Sequence, residues 1–69
     1  MNAITYHLNG KPVQVQAGAT VSALLEERDI DPSHVVVEIN RNILDREQFD
    51  RTIINRDDAV EILRFVGGG

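Results

Sequence analysis

The stretch that decides the fold is AITYHLNGKPVQVQ, residues 3–16. Apolar residues alternate with other residues on both sides of its midpoint, at Ile4, Tyr6, Leu8, Val13 and Val15. The midpoint is Asn9-Gly10, a pair favoured in type I′ turns because both central positions of that turn need a positive φ. The stretch therefore predicts an antiparallel hairpin with one apolar face.

A short helix is predicted next, from Thr20 to Arg28. Thr20 is a candidate N-cap, and Val21, Leu24 and Leu25 have the i, i+3, i+4 spacing of an apolar helix face. Asp31-Pro32 ends the helix, because a residue before proline is disfavoured in the α region.

Two further strands are predicted, at 35–39 and 59–66. The first is rich in β-branched residues, and the second places Val60 and Ile62 on one face with Leu63 on the other. Between them we predict an irregular segment with a short extended piece at 43–44 and three apolar anchors, which are Phe49, Ile53 and Ile54.

These elements predict an α+β roll, in which one helix packs across one face of a mixed sheet. This arrangement buries all the apolar stripes. From the fold class, we expect the first and last strands to lie side by side at the centre of the sheet. The chain has 69 residues, enough for one small core. We expect a folded domain over residues 1–66 and a flexible glycine tail over 67–69.

Composition narrows the possible functions. The net charge is −4 and the sequence has no aromatic–basic interleaving, which argues against nucleic-acid binding and favours neutral or basic protein partners. No apolar stretch is long enough to span a membrane. The absence of cysteine excludes disulfides and Cys-rich zinc modules and suits a reducing cytoplasm.

No catalytic or metal-binding set is predicted. His7 and His34 are far apart in sequence and are expected to be solvated, and Ser22 and Ser33 have no evident base partner. Arginine recurs every five residues from Arg41 to Arg56, a spacing that fits neither a helix nor a strand. We expect it to reflect chance in a loop-rich region, with an arginine edge for docking as the alternative.

The carboxyl-terminal glycines are the strongest functional feature of the sequence. Gly67, Gly68 and Gly69 add nothing to a core, and glycine loses the most backbone entropy when it is ordered. The carboxylate of Gly69 is ionised at neutral pH and needs an attached leaving group, as in adenylation by ATP, before a nucleophile can attack it. A thin lead without Cβ atoms suits the narrow channel of an activating enzyme, so Gly68 and Gly69 are the predicted reactive site. The alternatives are a frayed terminus or a remnant of cloning.

The end of the last strand is predicted to dock partners. Leu63 and Phe65 lie on the face opposite Val60 and Ile62 and have no evident core role, and Val66 completes the segment before the glycines. Aromatic anchors are common among interface hot spots. The alternative for Phe65 is a cap folded back onto the core.

The sequence resembles the ThiS family, sulfur carriers of thiamine thiazole biosynthesis within the ubiquitin-like β-grasp superfamily. The resemblance covers nearly the whole chain, in the segments LNGKPVQV (8–15), AGATVSALLE (17–26), VVVEINRNILDREQF (35–49) and the final Gly68-Gly69. Two features depart from the family pattern. Arg56-Asp57-Asp58 stands where an Asp-Gly-Asp turn is usual, and a third glycine, Gly67, precedes the usual two.

The resemblance implies a β-grasp fold and a carrier that is not itself an enzyme. A ThiF-like enzyme would adenylate Gly69 with Mg-ATP, a sulfurtransferase persulfide would displace AMP, and thiazole synthase (ThiG) would take sulfur from the resulting thiocarboxylate. The carrier itself would bind no cofactor. Other possibilities remain open at this stage: a MoaD-like carrier for molybdopterin synthesis, a ubiquitin-like protein modifier, or an adaptor whose glycines have no role.

Overall fold

The computed structural model describes residues 2–64, which form one five-stranded sheet with a helix across one face. The elements are β1 (Ala3–Leu8), β2 (Lys11–Gln16), α1 (Val21–Glu27), a 3-10 turn (Pro32–His34), β3 (Val35–Ile39), β4 (Asn42–Leu44), a second 3-10 turn (Arg46–Gln48) and β5 (Ala59–Arg64). The predicted fold class is confirmed. Phe65, Val66, Gly67, Gly68 and Gly69 lie outside the described residues, and so does the predicted boundary between domain and tail.

The sheet is mixed, with strand order β2-β1-β5-β3-β4. β1 pairs parallel to β5, whereas the pairs β1–β2, β3–β5 and β3–β4 are antiparallel. The first and last strands are therefore neighbours and β5 is the central strand, as expected from the predicted fold class. Residues 65–69 follow directly from this central strand in the sequence.

The local predictions for the first half of the chain are confirmed. Asn9 and Gly10 have φ values of 49° and 84°, the two positive angles that a type I′ turn requires. The Thr20 side chain caps α1 by accepting a hydrogen bond of 3.1 Å from the Ala23 amide. Hairpin and helix are thus specified by sequence-local chemistry.

A single core lies between α1 and the inner face of the sheet. Its ten buried residues come from three strands (β1, β3 and β5), the helix and the crossover before β5: Tyr6, Leu8, Val21, Leu24, Leu25, Val35, Val37, Phe49, Ile54 and Val60. Of the three predicted anchors in the crossover, Phe49 and Ile54 are buried. The prediction for Ile53 is wrong, since 48% of this residue is exposed. Backbone hydrogen bonds from Val21 to Thr52 and from Ile54 to Ala19 hold this segment extended, so Ile54 turns inward and Ile53 outward.

The turn before β5 departs from the family's sequence pattern but keeps a left-handed residue. Asp57 has a φ of 67°, a region where glycine is most at ease and aspartate is tolerated. Its amide donates to the Thr5 carbonyl at 2.9 Å, and the Asp58 carboxylate accepts from the Asn55 amide at 2.8 Å. Asp57 thus supplies a positive φ without a glycine.

Tyr6 is the single tyrosine of the chain, and its fully buried hydroxyl makes no hydrogen bond of normal geometry among residues 2–64, although the Arg28 guanidinium lies close enough to act on its pKa. We expect Tyr6→Phe to raise the free energy of unfolding by about 1 kcal/mol, because the variant no longer buries an unsatisfied hydroxyl. Urea unfolding at neutral pH measures this difference. A less stable phenylalanine variant would contradict it.

The same variant should also change how the free energy of unfolding depends on pH in the alkaline range. Burial raises the pKa of Tyr6, and the positive charge of Arg28 offsets part of that rise. A raised pKa disfavours ionisation in the folded state, so this contribution is complete below the unfolded pKa of about 10 and is lost as pH rises through the folded value. Tyr6→Phe should therefore lose less stability than the parent chain over that alkaline range.

Candidate functional site

The outer face of the sheet, which α1 does not cover, carries an apolar surface beside the last described residues of β5. Leu63 of β5 lies directly opposite Val36 of β3, and 51% of Leu63 is exposed. Ile43 of β4 is on the same face and is 70% exposed. We call Val36, Ile43 and Leu63 the outer patch. Large apolar side chains grouped on an exposed face are typical of a binding surface.

Two carboxylates accompany the outer patch. Glu38 lies opposite Glu61 in the β3–β5 pair and opposite Ile43 in the β3–β4 pair, so all three share the outer face. Like charges directly opposite each other in a sheet are destabilising. An apolar surface with this acidic pair favours a partner that presents apolar and basic groups, in keeping with the partners expected from the net charge.

Of the predicted docking residues, Leu63 is placed by the structure on the outer face, as its alternation with Val60 and Ile62 predicts. Val60 is fully buried and Ile62 packs against the core. Phe65 and Val66, like the reactive pair Gly68 and Gly69, lie outside the described residues. Their roles stay predictions.

Two asparagine side chains bind the backbone of β5 near its two ends. Asn40 Oδ1 accepts from the Ala59 amide at 3.0 Å, and Asn40 Nδ2 donates to the Asp58 carboxylate at 3.1 Å. Asn9 Oδ1 accepts from the Ile62 amide at 2.8 Å, with Nδ2 of the same residue 3.4 Å from the Ile62 carbonyl. Sequence reasoning missed both contacts, since each asparagine sits in a turn that already explains its presence.

The other polar candidates do not assemble into a catalytic set. His7 is exposed on the outer face, and His34 lies on the 3-10 turn with its Nε2 3.9 Å from the Asp31 carboxylate. The pKa of Asp31 is lowered, mainly by the hydrogen bond from the Ser33 backbone amide and then by the one from the Ser33 hydroxyl. Ser22 donates to Asp50 rather than to a histidine.

The structure allows a search for a metal site and for a membrane-spanning helix over residues 2–64. Within that range, no three His, Asp or Glu side chains group closely enough to hold a metal ion. None of the helices described is long and apolar enough to cross a membrane. Among the evenly spaced arginines, Arg46 has a local role, because its Nε donates to the Pro32 carbonyl at 3.1 Å.

Comparisons with known proteins extend the resemblance seen in the sequence. A sulfur carrier protein ThiS from Bacillus subtilis is 35% identical over 90% of this chain and 96% of its own length. A thiazole synthase from Magnetococcus marinus is 36% identical over 91% of this chain, which spans only 19% of that protein. The crystal structure of a thiamine biosynthesis protein (ThiS) from Geobacter metallireducens superposes with a TM-score of 0.82 at 39% identity, covering 96% of this chain and 100% of that one.

The family profile of ThiS matches residues 2–69, which include the glycine tail as well as the folded body. The match therefore covers the central strand β5, the outer patch and the carboxyl-terminal glycines in one alignment. The chain belongs to the ThiS family, the non-enzymatic sulfur carriers of thiamine biosynthesis.

Proposed function

We propose that the Gly69 carboxylate is the group that carries sulfur, and that Gly68 and Gly69 enter the active sites of partner enzymes. The observation that carries this proposal is the path of the chain: the central strand β5 ends its described course at Arg64, beside an exposed apolar patch, and the glycines follow within a few residues. Family membership supports the same chemistry.

The proposed reaction begins with activation by a ThiF-like enzyme. A Gly69 carboxylate oxygen attacks the α-phosphorus of Mg-ATP, pyrophosphate leaves, and an acyl adenylate forms. The terminal sulfur of a sulfurtransferase persulfide then attacks the acyl carbon and displaces AMP. A thiol cleaves the S–S bond of the resulting acyl disulfide and releases the thiocarboxylate. ATP and magnesium are bound by the activating enzyme, and this chain supplies the carboxylate alone. The need for ATP and reduced thiols fits a cytoplasmic reaction.

Thiazole synthase (ThiG) is the proposed acceptor of the sulfur. Its support is that a protein named thiazole synthase contains a segment similar to 91% of this chain. A carrier and a synthase in one polypeptide would be held close together, and separate chains would need a docking surface to achieve the same proximity.

The outer patch is the proposed docking surface for the activating enzyme. Leu63 and Ile43 supply exposed apolar area, and Glu38 with Glu61 supplies negative charge beside it. Phe65 and Val66, which follow Arg64 in the sequence, are proposed to extend this surface toward the tail.

Intact-mass analysis of the protein from its native cell tests the proposal. We expect a fraction of the chains to show replacement of one oxygen by sulfur, reversed when thiazole synthase and its other substrates are supplied. Ladders in which the chain is joined to other proteins would instead indicate a modifier, and an unmodified terminus in thiamine-starved cells would favour an adaptor. Sulfur consumed only by molybdopterin synthase would indicate the MoaD-like alternative.

A further inference from the structure

Within residues 2–64, the end of β5 has no neighbouring strand on its β1 side. The parallel ladder between the two strands covers only two pairs, His7 with Ala59 and Leu8 with Val60, because β1 turns away at Asn9. β5 continues to Arg64. Its residues past Val60 would therefore expose hydrogen-bonding groups along that edge unless something replaced the missing strand.

Asn9 replaces it. The Asn9 amide donates to the Val60 carbonyl at 2.9 Å, and the side chain then reaches two residues further along β5 to bind Ile62. A side-chain carboxamide has the same donor and acceptor as a peptide group, so it can extend the ladder after the main chain has left it. This explains why the turn residue contacts a position 53 residues away in sequence.

Leu63 of the outer patch follows Ile62 directly. The Asn9 contact therefore lies next to the outer patch, just before the residues that connect β5 to the glycine tail. On its other edge β5 pairs with β3, through Val36 opposite Leu63 and Val35 opposite Arg64. Ile62 is thus held on both edges of β5, by the Asn9 side chain on one and by β3 on the other, in the part of the chain that leads to Gly69. Without Asn9, only the β3 side would hold it.

We infer that Asn9 is a positioning residue for the carboxyl-terminal segment: by holding Ile62, it fixes the course of β5 through Leu63 and Arg64, from which the chain continues toward Gly69. The inference rests on the proposed function, in which one enzyme grips the outer patch and activates Gly69 at the same time. A segment already oriented before binding loses less conformational freedom on docking, and that difference appears as affinity.

Asn9→Gly tests this in the full chain, because glycine keeps the positive φ of the turn and removes only the side chain. We expect the Ile62 amide to exchange with solvent at least about tenfold faster, relative to the change at core amides, since it loses its acceptor. The KM for this chain in adenylation by the activating enzyme should rise about fivefold with kcat nearly unchanged, because orientation before binding is lost and the chemistry is not. Asn9→Asp keeps the Oδ1 acceptor, so its Ile62 exchange rate and its KM should both stay close to the values of the parent chain.

Asn40→Gly is the matched control. Asn40 also has a positive φ, 51°, and its Oδ1 also accepts from a β5 amide, but at Ala59, where the strand begins. It should lower stability comparably and leave the KM unchanged. Equal rises in KM for the two variants, or an unchanged Ile62 exchange rate in Asn9→Gly, would overturn the inference. A parent chain that the enzyme does not adenylate would instead overturn the proposed function, and the inference with it.

Discussion

Addition of one alanine after Gly69 is expected to reduce adenylation by the activating enzyme by a factor of at least about one hundred. An extended residue advances the chain by about 3.5 Å, so the new carboxylate lies well beyond the position of the old one. Misplacement of a reacting group by about 1 Å can already cost a hundredfold in rate. The added Cβ also widens a tail that is otherwise free of side chains. ATP–pyrophosphate exchange with the cognate enzyme measures the effect.

Gly68→Val probes the same channel without lengthening the chain. Its β-branched side chain occupies space where the enzyme backbone is expected to approach closely, so exchange should fall to a similar extent. Both variants should unfold at the parent temperature, because the described core is built from residues 6–60 and includes none of the glycines. The matched control adds one alanine before Met1, at the other terminus, and should exchange normally. Normal adenylation of the chain extended after Gly69 would contradict the proposed site.

The first half of the fold could be predicted from sequence because its determinants are local. Asn9-Gly10 fixes the hairpin turn, and the alternation from Ile4 to Val15 selects the buried face. Thr20 and the spacing of Val21, Leu24 and Leu25 fix the helix start and its buried side. In each case neighbours within a few residues supply the decisive interactions.

The segment before β5 could be predicted only in part, because long-range contacts decide which side chains turn inward. Ile53 and Ile54 are equally apolar in sequence, and only the pairing of this segment with the start of α1 exposes one and buries the other. The contacts of Asn9 and Asn40 with β5 depend in the same way on strands distant in sequence. A turn residue gives no sign that its side chain has a second partner.

The candidate site divides along similar lines. The outward position of Leu63 followed from strand alternation, whereas its neighbours Val36 and Ile43 required the register of three strands. The opposition of Glu38 and Glu61 likewise appears only in the folded sheet. The opposed carboxylates weaken the isolated fold, and exposed apolar side chains grouped on one face are typical of an interaction site, so both features fit a surface whose role lies in binding.

Leu63→Ala is accordingly expected to weaken binding to the activating enzyme by about tenfold, which corresponds to about 1.4 kcal/mol. The reason is that Leu63, a half-exposed leucine near the end of β5, can bury the rest of its surface only against a partner. Isothermal titration of the enzyme with the parent chain and the variant measures the affinity. Strand alternation in the sequence predicts Phe65 on the same face as Leu63. Phe65→Ala should have an effect of at least this size if Phe65 docks, and should lower the melting temperature strongly if it caps the core instead.

Ile53→Ala separates docking from a general cost of losing apolar surface. Ile53 is 48% exposed and Leu63 is 51% exposed, so truncation removes a similar side chain from a similar environment, but Ile53 lies beside the start of α1 rather than on the outer face. Both variants should lower the melting temperature by a similar small amount, because each leaves part of a half-buried side chain unreplaced. Only Leu63→Ala should weaken binding. Equal affinities for the two variants would place the docking surface elsewhere, because the outer patch would then contribute no more to recognition than an apolar residue on another side of the molecule.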